Sequence, residues 1–354
     1  MRRHFIDNLR WMCILLLFPY HAAMIFNCWG EGFYVRCASN EPISAVIIAS
    51  YTWFMPLLFA LAGASSRFAM EKRTTREYIL ERVKKLLVPF AAGVLLLVPA
   101  QTYFAERFHN GYTGGYLTQY RLFFTKFGDL SGYTGGFTVG HLWFLLYLFI
   151  ISLLALPLMR LFLNGKLFKR RSTPSFLLIL SLFLVPLAGS AVLDIGGKSL
   201  AEYFLLFLLG FFLFGSDETI DRLERYRLPL GAAAILLTAS KLLLFFVLNV
   251  RVGFWIDLFD ALLGWVCILA LIGFGKHRLN STGPAAAYLS RACFPVYLLH
   301  QSVLVAVAFF ATKHLASPAA QFFSITVSSA VLTFAAYELI RRIPYVRFLF
   351  GIKA

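Results

Sequence analysis

The chain has 354 residues and a net charge of +16, with 60% hydrophobic and only 14% charged side chains. A mean hydropathy of +0.74 excludes a water-soluble globular protein, because this composition cannot supply a polar surface. Nucleic acid is excluded as a partner, since no basic soluble module would carry it, and the positive charge instead suits anionic lipid headgroups.

Apolar runs close to the bilayer-spanning length of about 20 residues recur along the whole chain. They predict an all-α polytopic transmembrane bundle in a single domain over residues 1–354, and the first run is interpreted as a retained span, not a signal peptide. The ten predicted spans are 9–28, 43–63, 86–104, 141–163, 176–193, 199–215, 229–248, 253–274, 292–312 and 320–340.

The first span carries two ionisable side chains, Arg10 and His21, in an otherwise lipid-soluble stretch. Ionisable residues inside a span are costly and by default indicate a functional site. Their separation of eleven positions is close to three helical turns, so both side chains project from one face, about 16 Å apart along the axis. His21 is therefore a candidate general base, and Arg10, near the membrane edge, a candidate phosphate ligand.

Each of these residues also has a structural interpretation. His21 could make a hydrogen bond between helices, and Arg10 could contact headgroups or pair with Asp7 one turn earlier. Pro19 removes a backbone hydrogen bond next to His21, which predicts a kinked or opened helix there.

Loop charge predicts the orientation, because cytoplasmic loops collect lysine and arginine. The amino terminus, the carboxyl terminus and alternate loops hold 24 of these cations, whereas the opposite set of loops holds seven, although it includes the longest loop, 105–140. Both termini are therefore expected in the cytoplasm.

The outer loop 105–140 is rich in glycine and aromatic residues, which suits either a lid or acceptor platform or an ordinary interfacial loop. Cys28 and Cys37 bracket the first outer loop and could form a disulfide or remain free thiols. No cysteine or histidine spacing is typical of a metal site, so no metal is expected.

Two later clusters have polar side chains at helical spacing. Arg82 and Lys85 are three positions apart at a cytoplasmic membrane edge, which on an α-helix puts them on one face suited to polyphosphate. Tyr297 and His300 share a face of the ninth predicted span, where either a catalytic role or a structural hydrogen-bond cluster is open.

Together these residues resemble the acyltransferase family 3 integral membrane proteins over nearly the whole chain. The resemblance rests on Arg10 and His21 in the first span, the run Met55–Gly63, Arg82 and Lys85 before Pro89, the start of the fourth span at 141–145, and the segment 297–300. The amino-terminal segment 6–11 further resembles the branch that includes modifiers of periplasmic glucans.

The resemblance implies transfer of an acetyl or succinyl-type group from cytoplasmic acyl-coenzyme A to a hydroxyl of an extracytoplasmic glycan, lipid or polymer. It makes His21 the catalytic histidine, and Arg10, Arg82 and Lys85 ligands of the donor's phosphates. The family usually has arginine where this chain has Lys85, which keeps the charge but loses the bidentate fork. Candidates for stabilising the oxyanion or supporting the acceptor are His141, Trp143, Tyr297 and His300.

The implied enzyme lies in the cell membrane, with membrane lipid, acyl-coenzyme A and a carbohydrate or lipid acceptor as its partners. The alternative is a transporter or flippase for a small amphiphile that performs no acyl transfer. Release of free thiol in proportion to acylated product distinguishes the two.

Overall fold

The computed structural model describes residues 3–127, 132–166 and 174–352. Within these ranges the chain is helical and contains no β-strand, only isolated bridges at Phe127–Phe137 and Asp194–Ser199. Some of the cations counted for the cytoplasmic side lie outside the described residues, namely Arg2, Lys169, Arg170, Arg171 and Lys353.

The described α-helices are α1 His4–Met24, α2 Glu41–Ile48, α3 Phe54–Met70, α4 Thr75–Arg82, α5 Val88–Leu96, α6 Val98–His109, α7 Tyr116–Phe123, α8 Trp143–Leu154, α9 Leu156–Leu163, α10 Phe176–Ser181, α11 Leu184–Ser190, α12 Leu200–Phe212, α13 Asp217–Arg225, α14 Arg227–Leu242, α15 Phe254–Arg278, α16 Pro284–His314, α17 Pro318–Ile340 and α18 Pro344–Leu349. A 3₁₀ turn occupies Gly140–Leu142, and π-helical turns occupy Val83–Leu87 and Leu243–Val247.

Several helices satisfy the length and composition required to cross a membrane. Among the described residues, five do so alone, and two further bent pairs raise the number to seven. The five are Thr75–His109, Arg227–Val247, Phe254–Arg278, Pro284–His314 and Pro318–Ile340. The predicted all-helical fold with several candidate spans is thus confirmed, whereas the count of ten spans is not.

Breaks within the predicted spans account for the difference. The predicted span 43–63 is interrupted between α2 and α3, and 176–193 is divided into α10 and α11. Pro56 and Pro186 lie in the first turns of α3 and α11, where a missing N–H costs little, so each proline suits the start of a new helix. Hydropathy reports composition and is blind to these breaks.

Two compact units divide the chain. The first contains Met1–Cys13, Ile48–Val83 and Tyr147–Ala287, and the second contains Ile14–Ile47, Lys84–Leu146 and Tyr288–Ala354.

In the first unit, α3 and α12 pack with their backbones in close approach. A Cβ atom on Gly63 would lie 1.9 Å from the carbonyl oxygen of Phe207, and one on Gly210 would lie 1.9 Å from that of Ala60. Only glycine permits this separation, because any side chain would overlap backbone atoms of the facing helix.

The first unit also contains an ion pair buried among apolar helices. Lys241 of α14 is 1% exposed, and its Nζ lies 2.7 Å from Asp260 Oδ2 of α15. The Tyr51 hydroxyl donates to the same carboxylate oxygen. The pair explains how two charges are accommodated within these helices, since each is compensated by the other.

The second unit contains the carboxyl-terminal part of α1, α5 to α7, the 3₁₀ turn and most of α16. Helix α5 packs against the 3₁₀ turn, where a Cβ on Gly93 would lie 2.6 Å from Leu142 Cδ1. The segment after α1 folds back on itself, with Asn27 donating to the carbonyls of Met24 and Glu31 and accepting from the Glu31 N–H. This ordered segment and the 3₁₀ turn position the polar side chains described next.

Candidate active site

Three histidines that are distant in sequence meet in the second unit. They are His21 from α1, His141 from the 3₁₀ turn and His300 from α16. The ring centroids of His21 and His300 are 5.3 Å apart, and those of His141 and His300 are 5.0 Å apart. Each histidine was a separate candidate from the sequence, and the folded chain brings the three rings together. In the part of the chain that is described, no group of three or more potential ligands has a geometry that could hold a metal ion.

Hydrogen bonds to backbone carbonyls define the tautomers of two of these rings. His300 Nδ1 lies 2.6 Å from the Tyr297 carbonyl oxygen, so Nδ1 carries the proton and Nε2 of the neutral ring is an acceptor. His141 Nε2 lies 3.0 Å from the Leu298 carbonyl oxygen, which leaves Nδ1 as an acceptor, 3.4 Å from Gln101 Nε2. His300 Nε2 is buried and has no hydrogen-bond partner among the described residues.

His21 is half-buried, and its Nδ1 is likewise buried without a hydrogen-bond partner in the described parts of the chain. Its ring stacks on Phe33 at a centroid distance of 6.0 Å and an interplanar angle of 13°, and Tyr20 meets it edge-on at 5.3 Å. Helix α1 continues unbroken past Pro19, so the predicted opening of the helix is limited to the backbone bond that proline cannot make. Ring contacts therefore hold the imidazole, while a nitrogen remains available to a substrate proton.

Tyr297 and Trp143 were considered from the sequence as oxyanion donors, and each has other contacts in the structure. The Tyr297 hydroxyl is buried and donates to the His141 carbonyl oxygen at 2.5 Å, so this donor already stabilises the 3₁₀ turn. Trp143 begins α8, is half-buried and meets Phe144 edge-on at 6.5 Å. Tyr297 is thus a residue that positions His141.

The predicted phosphate ligands of the first unit converge on one end of α3. Arg10 NH1 pairs with Asp7 Oδ1 at 3.1 Å, and NH2 donates to Ser65 Oγ at 2.8 Å. The alternative considered from the sequence, pairing with Asp7, is therefore present, and Ser65 orients the other side of the guanidinium.

Arg82 reaches the neighbouring serine through a tyrosine. Its guanidinium carbon lies 4.6 Å from the centroid of the Tyr78 ring, and the Tyr78 hydroxyl donates to Ser66 Oγ at 2.9 Å. Arg82 Nε is buried and has no hydrogen-bond partner among the described residues. Because Ser65 and Ser66 are adjacent, Arg10 and Arg82 are both tied to the same turn of α3.

The helix around Lys85 differs from the α-helix that the sequence predicted. The common face predicted for Arg82 and Lys85 requires an α-helix, but the turn Val83–Leu87 is π-helical. Pro89 lacks the N–H that would donate to the Lys85 carbonyl in an α-helix. The missing hydrogen bond is a physical reason for the wider π-helical turn before Pro89. Arg82 is half-buried, whereas Lys85 is exposed, so the two cations have different surroundings.

Tyr34, Gln101 and Ser65 are polar residues of these clusters that sequence reasoning missed. Gln101 is a lone amide at the end of an apolar run, which is the one signal that could have identified it. Tyr34 belongs to a loop and Ser65 to a small-residue helix end, where neither pattern distinguishes them.

Comparison with known proteins identifies a family for this combination of helices and polar residues. The family model of the acyltransferase 3 domain, described as an acyltransferase domain, matches residues 3–338. The chain belongs to the acyltransferase 3 family. The chain is therefore an acyltransferase. Proteins of this family are membrane proteins, which agrees with the candidate membrane-spanning helices.

Curated relatives point to one branch of the family. Glucans biosynthesis protein C from Salmonella dublin, Salmonella gallinarum strain 287/91 and Salmonella enteritidis PT4 is 23% identical over 378 residues, which covers 99% of this chain and 95% of each relative. The family resemblance inferred from the motifs is confirmed, and the name of these relatives agrees with the resemblance to the glucan-modifying branch. No solved structure matches the chain.

Proposed function

We propose that the protein transfers an acetyl or succinyl-type group from cytoplasmic acyl-coenzyme A to a hydroxyl of an extracytoplasmic glycan, lipid or polymer. The single observation that carries the proposal within an acyltransferase family is His21 Nδ1, which is buried and has no hydrogen-bond partner among the described residues. The name of the curated relatives favours a glucan as the acceptor. The reaction is assigned to the cell membrane, in a ten-span arrangement with both termini cytoplasmic, which follows the 24 to seven distribution of loop cations.

His21 acts as the general base in this proposal. It takes the proton of the acceptor hydroxyl while that oxygen attacks the thioester carbonyl, forming a new C–O bond. The C–S bond then breaks, and the proton passes from the imidazolium to the coenzyme A thiolate, which leaves as free thiol. The products are an ester and coenzyme A, so one thiol appears for each acyl group transferred.

Arg10, Arg82 and Lys85 bind the phosphates of the donor. A guanidinium offers paired donors that match phosphate oxygens, and the unpartnered Nε of Arg82 supports this role. Lys85 contributes as an exposed point charge. Ser65 and Tyr78 hold the two guanidinium groups before the donor arrives, which reduces the entropy lost on binding.

The test uses purified protein in lipid nanodiscs with acetyl-coenzyme A and succinyl-coenzyme A, and measures free thiol together with acylated product. Arg82→Ala should raise the apparent KM for the donor at least tenfold, with turnover less affected, because it removes binding shared by ground and transition states. Arg76→Ala, which removes an exposed cation from the same helix, is the matched control and should leave the donor KM unchanged. A lower turnover at unchanged donor KM in Arg82→Ala would contradict the phosphate assignment, and solute uptake without thiol release would favour the transporter.

A further inference from the structure

Two buried polar groups of the second unit, beside Gly140, have no hydrogen-bond partner among the described residues. Gly140 has a φ of +53°, and a Cβ atom added to it would lie 2.8 Å from the Tyr34 hydroxyl oxygen and 3.2 Å from Gln101 Oε1. Both oxygen atoms are buried and have no hydrogen-bond partner in the described residues. A side chain at position 140 would crowd both oxygen atoms, so glycine allows two polar side chains to approach the same point of the backbone.

The absence of a bond between these groups is informative because they are chemically complementary. A tyrosine hydroxyl can donate to an amide oxygen, and a buried polar atom left unpaired costs about 1–3 kcal/mol. Most buried polar groups in folded proteins are paired for this reason. Two such groups beside one glycine are therefore suited to a ligand that supplies the missing hydrogen bonds.

Gln101 is held so that its oxygen remains the available atom. Its Nε2 donates to Ser302 Oγ at 2.7 Å and lies 3.4 Å from His141 Nδ1, so both of its N–H groups have acceptors. Ser302 in turn donates to the Leu97 carbonyl at 3.0 Å. Rotation of the amide would break these contacts, and Oε1 is consequently fixed towards Gly140.

Tyr34 is fixed through its neighbours. His109 Nε2 bonds to the Phe33 carbonyl oxygen at 2.7 Å, which holds the Phe33–Tyr34 segment in place. Tyr133 meets the Tyr34 ring edge-on at 5.1 Å, and Tyr34 is fully buried. The hydroxyl is therefore held in place while it makes no hydrogen bond to the described residues.

Tyr34 and Gln101 are connected to the histidine cluster through contacts of their own segments. Phe33, which precedes Tyr34, stacks on His21, and Gln101 contacts His141, whose ring centroid lies 5.0 Å from that of His300. A ligand bound between Tyr34 and Gln101 would therefore be held by the same segments that surround the candidate base.

We propose that Tyr34 and Gln101 form, around Gly140, a subsite that binds a hydroxyl group of a sugar or other polyol acceptor. The ligand hydroxyl donates to Gln101 Oε1 and accepts from the Tyr34 hydroxyl, which satisfies both groups. The subsite deepens the proposed function, on which its role in acyl transfer rests, because it would orient the acceptor beside His21. An alcohol satisfies this donor and acceptor pair, whereas a thioester carbonyl, which only accepts, would leave Gln101 Oε1 unpaired.

The experiment measures sugar binding and acyl transfer separately. Binding of maltohexaose and of laminarihexaose to the protein in nanodiscs is followed by thermophoresis without any acyl donor. Tyr34→Phe should weaken binding about tenfold, the effect of losing one hydrogen bond to a neutral group. Tyr120→Phe is the matched control, because its hydroxyl donates to the Leu95 carbonyl at an exposed position, and it should bind as the wild type does.

A second variant adds a methyl group beside both oxygen atoms. Gly140→Ala should abolish sugar binding, since the methyl group would lie 2.8 Å from the Tyr34 oxygen, and its unfolding midpoint reports whether the turn tolerates alanine at positive φ. Tyr34→Phe should not lower the unfolding midpoint, because the hydroxyl it loses has no partner within the described residues. A structural tyrosine would lower it.

The outcomes distinguish this proposal from the one on which it rests. Absence of sugar binding by the wild type, or equal binding by Tyr34→Phe, overturns the subsite. Sugar binding that depends on Tyr34, together with no release of thiol from acyl-coenzyme A, retains the subsite and refutes acyl transfer. When both activities are present, Tyr34→Phe should raise the acceptor KM and leave the donor KM unchanged.

Discussion

Replacement of His21 by glutamine separates a catalytic histidine from a structural one. Glutamine keeps a hydrogen-bonding side chain but cannot accept a proton at neutral pH. In the structure His21 is held by ring contacts with Phe33 and Tyr20, and its Nδ1 has no hydrogen-bond partner among the described residues. No hydrogen bond of Nδ1 is therefore lost in the variant, and the change should cost little stability.

The expected effect on chemistry is large. A positioned general base contributes on the order of 10²- to 10⁴-fold, or about 3–5 kcal/mol of the activation barrier. His21→Gln and His21→Ala should both lower acyl transfer at saturating donor by at least about 10²-fold while the donor KM stays within a small factor. The assay is stopped-time release of coenzyme A thiol from nanodisc-embedded protein, paired with mass spectrometry of the acylated acceptor.

His277→Gln is the matched control, because His277 Nδ1 lies 3.0 Å from Glu224 Oε1 in the first unit and the ring is not part of the histidine cluster. This variant should transfer acyl groups at the wild-type rate. Near wild-type transfer by a well-folded His21→Gln would refute the assignment of the base and move it to His300, whose Nε2 is the other unpartnered imidazole nitrogen of the cluster.

Three further predictions concern packing, charge and topology. Gly63→Ala should destabilise the protein by about 1–3 kcal/mol or more in thermal unfolding, because its Cβ would overlap a backbone carbonyl at 1.9 Å, whereas Gly32→Ala, with nothing within 4 Å, should be neutral. Lys241→Ala removes the cation from the half-buried Asp260 carboxylate and should lower stability in the same unfolding assay, by less than the about 3–5 kcal/mol of a fully buried pair because Tyr51 still donates to it; a neutral result would refute the pairing. Single cysteines at Gly114 and Lys72, in a background without native thiols, should react with an impermeant maleimide from opposite sides of the membrane, and labelling from one side would reject the proposed topology.

The sequence was sufficient for the class of fold because the bilayer imposes a simple requirement on composition. Each of the ten apolar runs coincides with helical structure. The helices Pro284–His314 and Pro318–Ile340 each contain one predicted span in full, and Phe254–Arg278 contains all but the first residue of another. The sequence did not predict which helices are continuous, because proline positions and turns divide runs such as 176–193 without changing their mean hydropathy.

Candidate functional residues could also be identified from the sequence, one residue at a time. An arginine and a histidine inside an apolar run are costly in lipid, and this cost is visible in a single segment. The same reasoning selected His300 and Arg82, but it treated Arg82 and Lys85 as one face, because the π-helical turn Val83–Leu87 cannot be inferred from their spacing.

Tertiary structure alone decided which of these residues lie close together. His21, His141 and His300 come from three segments separated by more than a hundred residues in sequence, and only helix packing brings their rings within 5.0 and 5.3 Å. The unpaired oxygens of Tyr34 and Gln101 around Gly140 have the same origin, since a missing partner is a property of the folded environment. A sequence pattern records what a residue can do chemically, whereas hydrogen bonds and contacts with distant segments determine whether that capacity is already used.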